Sequence, residues 1–241
     1  MKETLYFDDF RAIFLTNVNR RSRTAKGISD TSTSSTKQSL LKTGEALTLQ
    51  VKENTEKLIR SVWDYRKTTP ITPECIHLLD EEWNDIVNQS LLPADAYEKE
   101  YRTIKRNAKR KEKETEVSHP TNYRYRVWDV HYSTLKLPPI EIGLVMEKFY
   151  ATLTHKIEQC RKELLNKADL LAYADFTIDK AIHPWREGCG RSATAIVMWL
   201  SLLTPDITLP LFGPRERHHN AMESLSMHTL YFLACLTHDY K

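Results

Sequence analysis

The feature that most restricts the fold of this chain is the apolar segment Ala195 to Leu203, AIVMWLSLL. It is apolar on nearly every side of a helix, and such a helix belongs in a protein interior. We therefore predict a buried helix here. The chain has 241 residues, 41% of them hydrophobic, which is enough to bury one core around that helix.

Other segments predict further helices around the buried one. Thr72 is a good N-cap, and Pro73 suits the first position of a helix. The apolar residues of this helix, Ile76, Leu79, Trp83 and Ile86, share one face. Helical periodicity also predicts helices over residues 41–67 (with Leu58, Val62 and Tyr65 on one face), 140–162 and 162–179.

Alternating large apolar and polar residues occur in one place, NYRYRVWDVHYSTLKLPP, from Asn122 to Pro139. This pattern predicts a β-hairpin, so the expected fold class is mainly α with one small hairpin. The densely basic segment 101–113 is either a solvated face or loop, or a patch for an acidic partner. No aromatic interleaving follows that segment to stack bases, so the pattern disfavours a nucleic-acid partner.

The chain has a strongly polar stretch, SDTSTSSTKQS, from Ser29 to Ser39, which is too polar to be buried. It predicts a linker between an N-terminal segment, residues 1–40, and a helical domain, residues 41–241.

Charge and cysteine spacing restrict the class of protein. The formal charge of +3 is close to neutral, which disfavours a protein that coats nucleic acid. The four cysteines have no metal-site spacing, and acidic residues interrupt the N-terminus where a signal peptide would be apolar. No apolar run reaches the roughly 18 to 20 residues of a membrane span. We expect a reduced, cytoplasmic protein without a membrane span.

The segment before the buried helix, HPWREGCGRSAT, combines residues suited to phosphate chemistry. Gly188 and Gly190 allow a tight turn whose amides converge on an anion, and Arg191 adds a positive charge. Glu187 is a suitable ligand for a Mg²⁺ that also binds phosphate oxygens. His183 is a suitable general base for a hydroxyl group that attacks the phosphate.

These residues resemble the motif of the Fic (filamentation induced by cAMP) family, H-P-F-x-[D/E]-G-N-G-R-x-x-R. The match consists of His183, Pro184, Glu187, Gly188, Gly190 and Arg191, with Trp185 in place of Phe. The hairpin segment is similar to the family's target-binding flap, and RERHHNAM is similar to its R-x-x-Y-Y-x-A-L helix.

The resemblance implies a Fic-type helical domain that transfers AMP from ATP to a Ser, Thr or Tyr hydroxyl of a protein substrate. In this reading His183 is the base, Glu187 binds Mg²⁺, and Gly188, Gly190 and Arg191 bind the phosphates of ATP. The flap would align the target by strand addition through Tyr123, Arg124, Val127, Trp128 and Val130. Self-modification, a homodimer and delivery into a host cytoplasm are compatible with the family.

Two positions depart from the motif. Cys189 replaces Asn, and a thiol at a helix N-terminus is expected to have a lowered pKa, so it is either a redox-sensitive residue or an inert substitution. Thr194 replaces the second arginine, which binds the γ-phosphate in the family. By its position His218 contacts the base or ribose of the nucleotide, or it pairs with His219 at the surface.

The segment SRTAKG, Ser22 to Gly27, has the spacing of the family's inhibitory motif S/T-x-x-x-E-[G/N], with Lys26 in the glutamate position. Either the inhibitory ion pair decayed on both sides, or Lys26 supplies the γ-phosphate cation that Thr194 cannot. Under the second hypothesis, Lys26→Glu weakens nucleotide binding.

Two functions besides AMP transfer remain open from the sequence. The altered phosphate-contacting positions are compatible with another donor or with phosphoryl transfer. A catalytically impaired Fic-like protein that only binds a partner is the third possibility.

Overall fold

The structure is a computed structural model that describes residues 5–21, 44–91, 124–126, 130 and 133–239. The described residues are mainly helical, as the sequence predicts. They contain eight α-helices: α1 Phe7–Arg21, α2 Gly44–Tyr65, α3 Pro73–Asn88, α4 Ile142–Arg161, α5 Lys167–Phe176, α6 Cys189–Leu203, α7 Arg215–Ala221 and α8 Leu225–Thr237. A 3₁₀ turn, Pro139–Glu141, precedes α4, and a π-helix, Thr177–Ile182, follows α5 directly.

The central element is α6, which contacts helices α1 to α5 and the π-helix. Every residue from Ser192 to Ser201 is buried, so the predicted buried helix is confirmed. It begins six residues before the apolar run, which places the second glycine of the motif inside its first turn. The motif is therefore fixed to this buried helix.

Helix α1 is part of the same core. Phe10 and Phe14 are fully buried, and α1 packs on α2, α6 and α7. The buried Asn17 donates to the Pro210 carbonyl over 2.8 Å and accepts from the Phe212 amide over 2.8 Å. The division of the chain near residue 40 stays a prediction, because residues 22–43 lie outside the described part.

Local sequence signals determine where several helices begin. The Thr72 hydroxyl accepts from the Cys75 amide and Pro73 is the first residue of α3, which confirms the predicted start. The predicted helices over 41–67 and 140–162 correspond to α2 and α4. The single helix predicted over 162–179 is wrong in detail: a turn precedes α5, Asn166 caps it, and the π-helix continues it to Ile182.

The predicted hairpin is not confirmed. The described part of that segment forms one isolated antiparallel bridge, between Tyr125 and Trp185, and contains no strand. None of the described helices is both long enough and apolar enough to span a membrane.

Candidate functional site

The motif turn lies between the π-helix and α6, and its backbone is unusual at both ends. His183 has φ 50° and ψ 63°, a left-handed conformation that a residue with a side chain adopts only at a cost. Gly188, the N-cap of α6, has φ 82°. Such strain and π-helical turns concentrate at functional sites.

His183 is partly buried and held in one tautomer. Its Nδ1 lies 3.0 Å from the Asp179 carbonyl oxygen, which can only accept, so Nδ1 carries the proton and Nε2 is the basic nitrogen. Burial lowers the pKa of His183 and outweighs the opposing attraction of Asp179. The imidazole is therefore neutral at neutral pH, the form that a general base requires.

Arg126, which the sequence analysis did not single out as a site residue, holds the backbone around His183. The side chain is fully buried and donates to the carbonyls of His183 (2.9 Å) and Leu137 (2.8 Å). Its amide donates to the Pro184 carbonyl over 2.8 Å. These bonds satisfy carbonyls at the end of the π-helix and stabilise the strained conformation of the histidine.

The turn is also joined to the flap segment through the Tyr125–Trp185 bridge. The buried Arg186 donates from its amide to the Arg124 carbonyl and from Nε to the Tyr125 carbonyl. The two aromatic rings of the bridge lie 5.2 Å apart. The motif turn and the start of the flap segment therefore form one packed unit.

Gly188 is packed closely against α3. A Cβ at this position would lie 2.6 Å from Cγ1 of Val87, and the φ of 82° is itself unfavourable for other residues. Asn84 and Asn88 of α3 both donate to the Glu187 carbonyl, over 2.9 and 3.3 Å. Helix α3 thus determines where the turn lies and where the Glu187 backbone is held.

The first amides of α6 differ in whether they have an acceptor. The amides of Arg191 and Ser192 bond to the Gly188 carbonyl, and no side chain of the described residues caps the helix. Among the described residues, the amides of Cys189 and Gly190 have no acceptor. Two N–H groups and the positive end of a helix of 15 residues can bind an anion.

Arg21, the last residue of α1, reaches this turn from the opposite side. It pairs with Asp175 and Asp179, over 2.5 and 2.8 Å, and its Nη1 lies 3.3 Å from the Thr194 hydroxyl. Burial lowers the pKa of Arg21, but the two carboxylates outweigh it and raise the pKa. Nε is buried and has no acceptor among the described residues.

Two histidines complete this buried cluster. His218 and His228 both place Nε2 within hydrogen-bond distance of Oδ2 of Asp175, at 3.0 and 2.8 Å. The three side chains could hold a metal ion by their geometry. The hydrogen bonds account for the same distances without one, and Arg21 occupies the other carboxylate oxygen, so we interpret the cluster as the anchor of Arg21.

His218 is buried and bonds to Asp175, so it is not a surface histidine, and its contact with a base or ribose stays a prediction. Burial lowers its pKa, together with the positive charge of Arg21. His219 is exposed. The sequence offers no signal for Asp175 or His228, which come from different helices and meet only through packing.

The two substituted motif positions are both buried. Cys189 is 3% exposed, and burial raises its pKa well above the usual range. The expected lowering of this pKa was wrong, because loss of hydration outweighs the field of the helix. Thr194 is fully buried and donates to the Gly190 carbonyl over 2.8 Å. Arg191 donates to the Val87 carbonyl over 3.2 Å.

The remaining predicted residues divide into two groups. The described flap residues have structural contacts: Arg124 pairs with Asp85 over 2.8 Å, and Val130 is buried. The others lie outside the described residues: Tyr123, Val127 and Trp128 of the flap, and Ser22, Lys26 and Gly27 of the regulatory segment.

Comparison of the chain with known protein families, with curated protein sequences and with solved structures finds no match in any of the three.

Proposed function

We propose that this protein transfers AMP from ATP to a hydroxyl group of a protein substrate, the activity implied by its resemblance to the Fic family. One observation carries the proposal. A histidine held neutral, with Nε2 as its basic nitrogen, lies six residues before the first residue of α6, where two amides have no acceptor among the described residues. The histidine would be the base for the hydroxyl, and the amides would donate to the phosphates.

The chemistry needs little more than positioning and charge stabilisation. The hydroxyl oxygen of the target attacks the α-phosphorus of ATP and the bond to pyrophosphate breaks. Nε2 of His183 accepts the proton of the hydroxyl, and the pyrophosphate carries away the negative charge. Hydrogen bonding of Nδ1 to the Asp179 carbonyl keeps the ring oriented while this proton moves.

A divalent cation fits the donor set of the turn. Glu187 has a hard carboxylate ligand, is partly buried, and has its backbone fixed by two asparagines of α3. Mg²⁺ bound there would neutralise charge on the phosphate oxygens of ATP. The amides of Cys189 and Gly190 would bind the same group from the helix side.

Phosphoryl transfer is the second candidate function, and the position of the Thr194 side chain supports it. Thr194 is fully buried and hydrogen-bonded to its own helix, so it offers little to the end of a triphosphate. An altered pose of ATP would present a different phosphorus to the target hydroxyl.

Intact-mass spectrometry of the protein incubated with MgATP, beside His183→Ala, separates the candidates. AMP transfer predicts a mass gain of one AMP in the wild type alone, on the protein itself or on an added protein substrate. A gain equal to phosphate supports the second candidate. Failure to bind MgATP would contradict both and favour a protein that only binds a partner.

A further inference from the structure

We propose that Arg21 of α1 is a phosphate-binding residue, whose Nε donates to an anionic oxygen held at the N-terminus of α6. The proposal deepens the function proposed above and depends on it, because the phosphate is that of the same nucleotide. It adds a ligand from outside the motif, contributed by the N-terminal segment of the chain.

Two independent sets of donors without acceptors among the described residues lie together at this turn. The amides of Cys189 and Gly190 begin α6 and have no acceptor in the described chain. Nε of Arg21 is also buried without an acceptor there. It lies 3.2 Å from the position that a Cβ on Gly190 would take, beside one of those amides.

Both terminal nitrogens of the Arg21 guanidinium already have acceptors. Asp175 and Asp179 accept from Nη1 and Nη2, and Nη1 also lies within reach of the Thr194 hydroxyl. Nε is the one nitrogen of this side chain that lacks an acceptor among the described residues. A buried N–H of a charged group without an acceptor is costly, and an anion at this turn would satisfy it.

The guanidinium of Arg21 is held rigidly. The side chain of Arg21 is 9% exposed, and its partner Asp175 is itself fixed by His218 and His228. Two carboxylates offset the positive charge of the guanidinium. Arg21 therefore contributes a directed hydrogen bond rather than a general positive field, and a fixed donor loses little entropy on binding.

The absence of a side chain at position 190 is consistent with this arrangement. Gly190 is helical, so its conformation does not require glycine. The close approach of Nε favours glycine, because a Cβ would lie 3.2 Å from Nε and the guanidinium would have to shift by a few tenths of an ångström. Glycine here lets the guanidinium lie directly against the first turn of α6.

Two variants of the full chain test the proposal, with inorganic pyrophosphate and MgATP as the probes in calorimetric titrations. Arg21→Lys keeps a positive charge between the two carboxylates but removes Nε. Gly190→Ala leaves Arg21 intact and displaces Nε with a methyl group. Arg11→Lys is the matched control, since Arg11 lies on the same helix in a half-exposed pair with Glu56. Circular dichroism establishes that each variant is folded.

We expect Arg21→Lys to weaken pyrophosphate binding by roughly tenfold to a hundredfold, the effect of one lost hydrogen bond to a charged group. Gly190→Ala should weaken it in the same direction, and Arg11→Lys should leave it unchanged. If both site variants fold and bind pyrophosphate as the wild type does, the role of Arg21 is refuted while AMP transfer stands. If the wild type binds neither probe, the proposed function fails together with this inference.

Discussion

Substituting Gly188 by alanine tests whether the motif turn is fixed as tightly against α3 as its geometry indicates. Two costs add at this position. The φ of 82° places an alanine in the left-handed region, which costs about 1–2 kcal/mol. The new Cβ would also lie 2.6 Å from Cγ1 of Val87, which is 1% exposed and cannot move aside freely. Overpacking of this kind costs about 1–3 kcal/mol.

Gly188→Ala should therefore lower the free energy of unfolding by about 2–5 kcal/mol, a large fraction of the stability of an ordinary domain. Equilibrium unfolding in urea, followed by circular dichroism, measures this value. A Val87→Ala background separates the two costs, because it removes the methyl group that clashes. In that background Gly188→Ala should cost only the conformational term of about 1–2 kcal/mol.

Gly190→Ala is the comparison for the conformational cost, since this glycine is helical and its φ carries no penalty. Its Cβ would lie 3.2 Å from Nε of Arg21, so the only cost is that contact, which should be about 1 kcal/mol and below the cost of Gly188→Ala. An equal cost of Gly188→Ala in both backgrounds would show that Val87 does not crowd the turn. A Gly188→Ala protein as stable as the wild type would refute both parts of the reasoning.

Three further predictions concern titration and reactivity. Because burial lowers the pKa of His183 from 6.5, kcat/KM for AMP transfer should stay constant at neutral pH and fall only on acidification below about 6.5. The same lowered pKa reduces the free energy of unfolding only as pH falls through that range. An activity loss centred above pH 7 would contradict the role of His183 as the base. Burial raises the pKa of Asp80 from 3.8 to about 7, opposed by the Tyr150 hydroxyl, so the native state binds the proton more tightly and stability should fall as pH rises from 3.8 to 7. Asp80→Asn should remove this fall and stabilise the protein above pH 7 by as much as ~4 kcal/mol in urea unfolding, whereas an unchanged pH dependence would contradict it. Cys189 should react with a thiol reagent only after unfolding, whereas the partly exposed Cys75 should react in the native protein; rapid native labelling of Cys189, mapped by peptide mass, would contradict its burial.

The parts of the fold that could be predicted from the sequence depend on local signals. Thr72 and Pro73 mark the start of α3 because capping involves only neighbouring residues. The burial of α6 could be predicted from composition, because a helix that is apolar on nearly every side is stable only in the protein interior. The same local reasoning predicts the phosphate-binding turn, which stays a prediction, although the amides of Cys189 and Gly190 lack an acceptor among the described residues.

The parts that could not be predicted depend on contacts between distant segments. Arg21 lies in the N-terminal segment that the sequence predicts to be separate from the helical domain. It nevertheless contacts Asp175, more than 150 positions away. The pKa of the Cys189 thiol could not be predicted for the same reason. Its position at a helix N-terminus predicts a lowered pKa, but the burial that raises it is determined by packing.

The most direct test of AMP transfer through His183 is the fate of labelled ATP. Wild-type protein, His183→Ala and Arg11→Lys are incubated with Mg²⁺ and ATP labelled on the α-phosphate or on the γ-phosphate, and label bound to protein is counted. The account predicts transfer of the α-label by the wild type and by Arg11→Lys, with the signal lost in a folded His183→Ala protein. Transfer of the γ-label, or equal α-label transfer by His183→Ala, would contradict it.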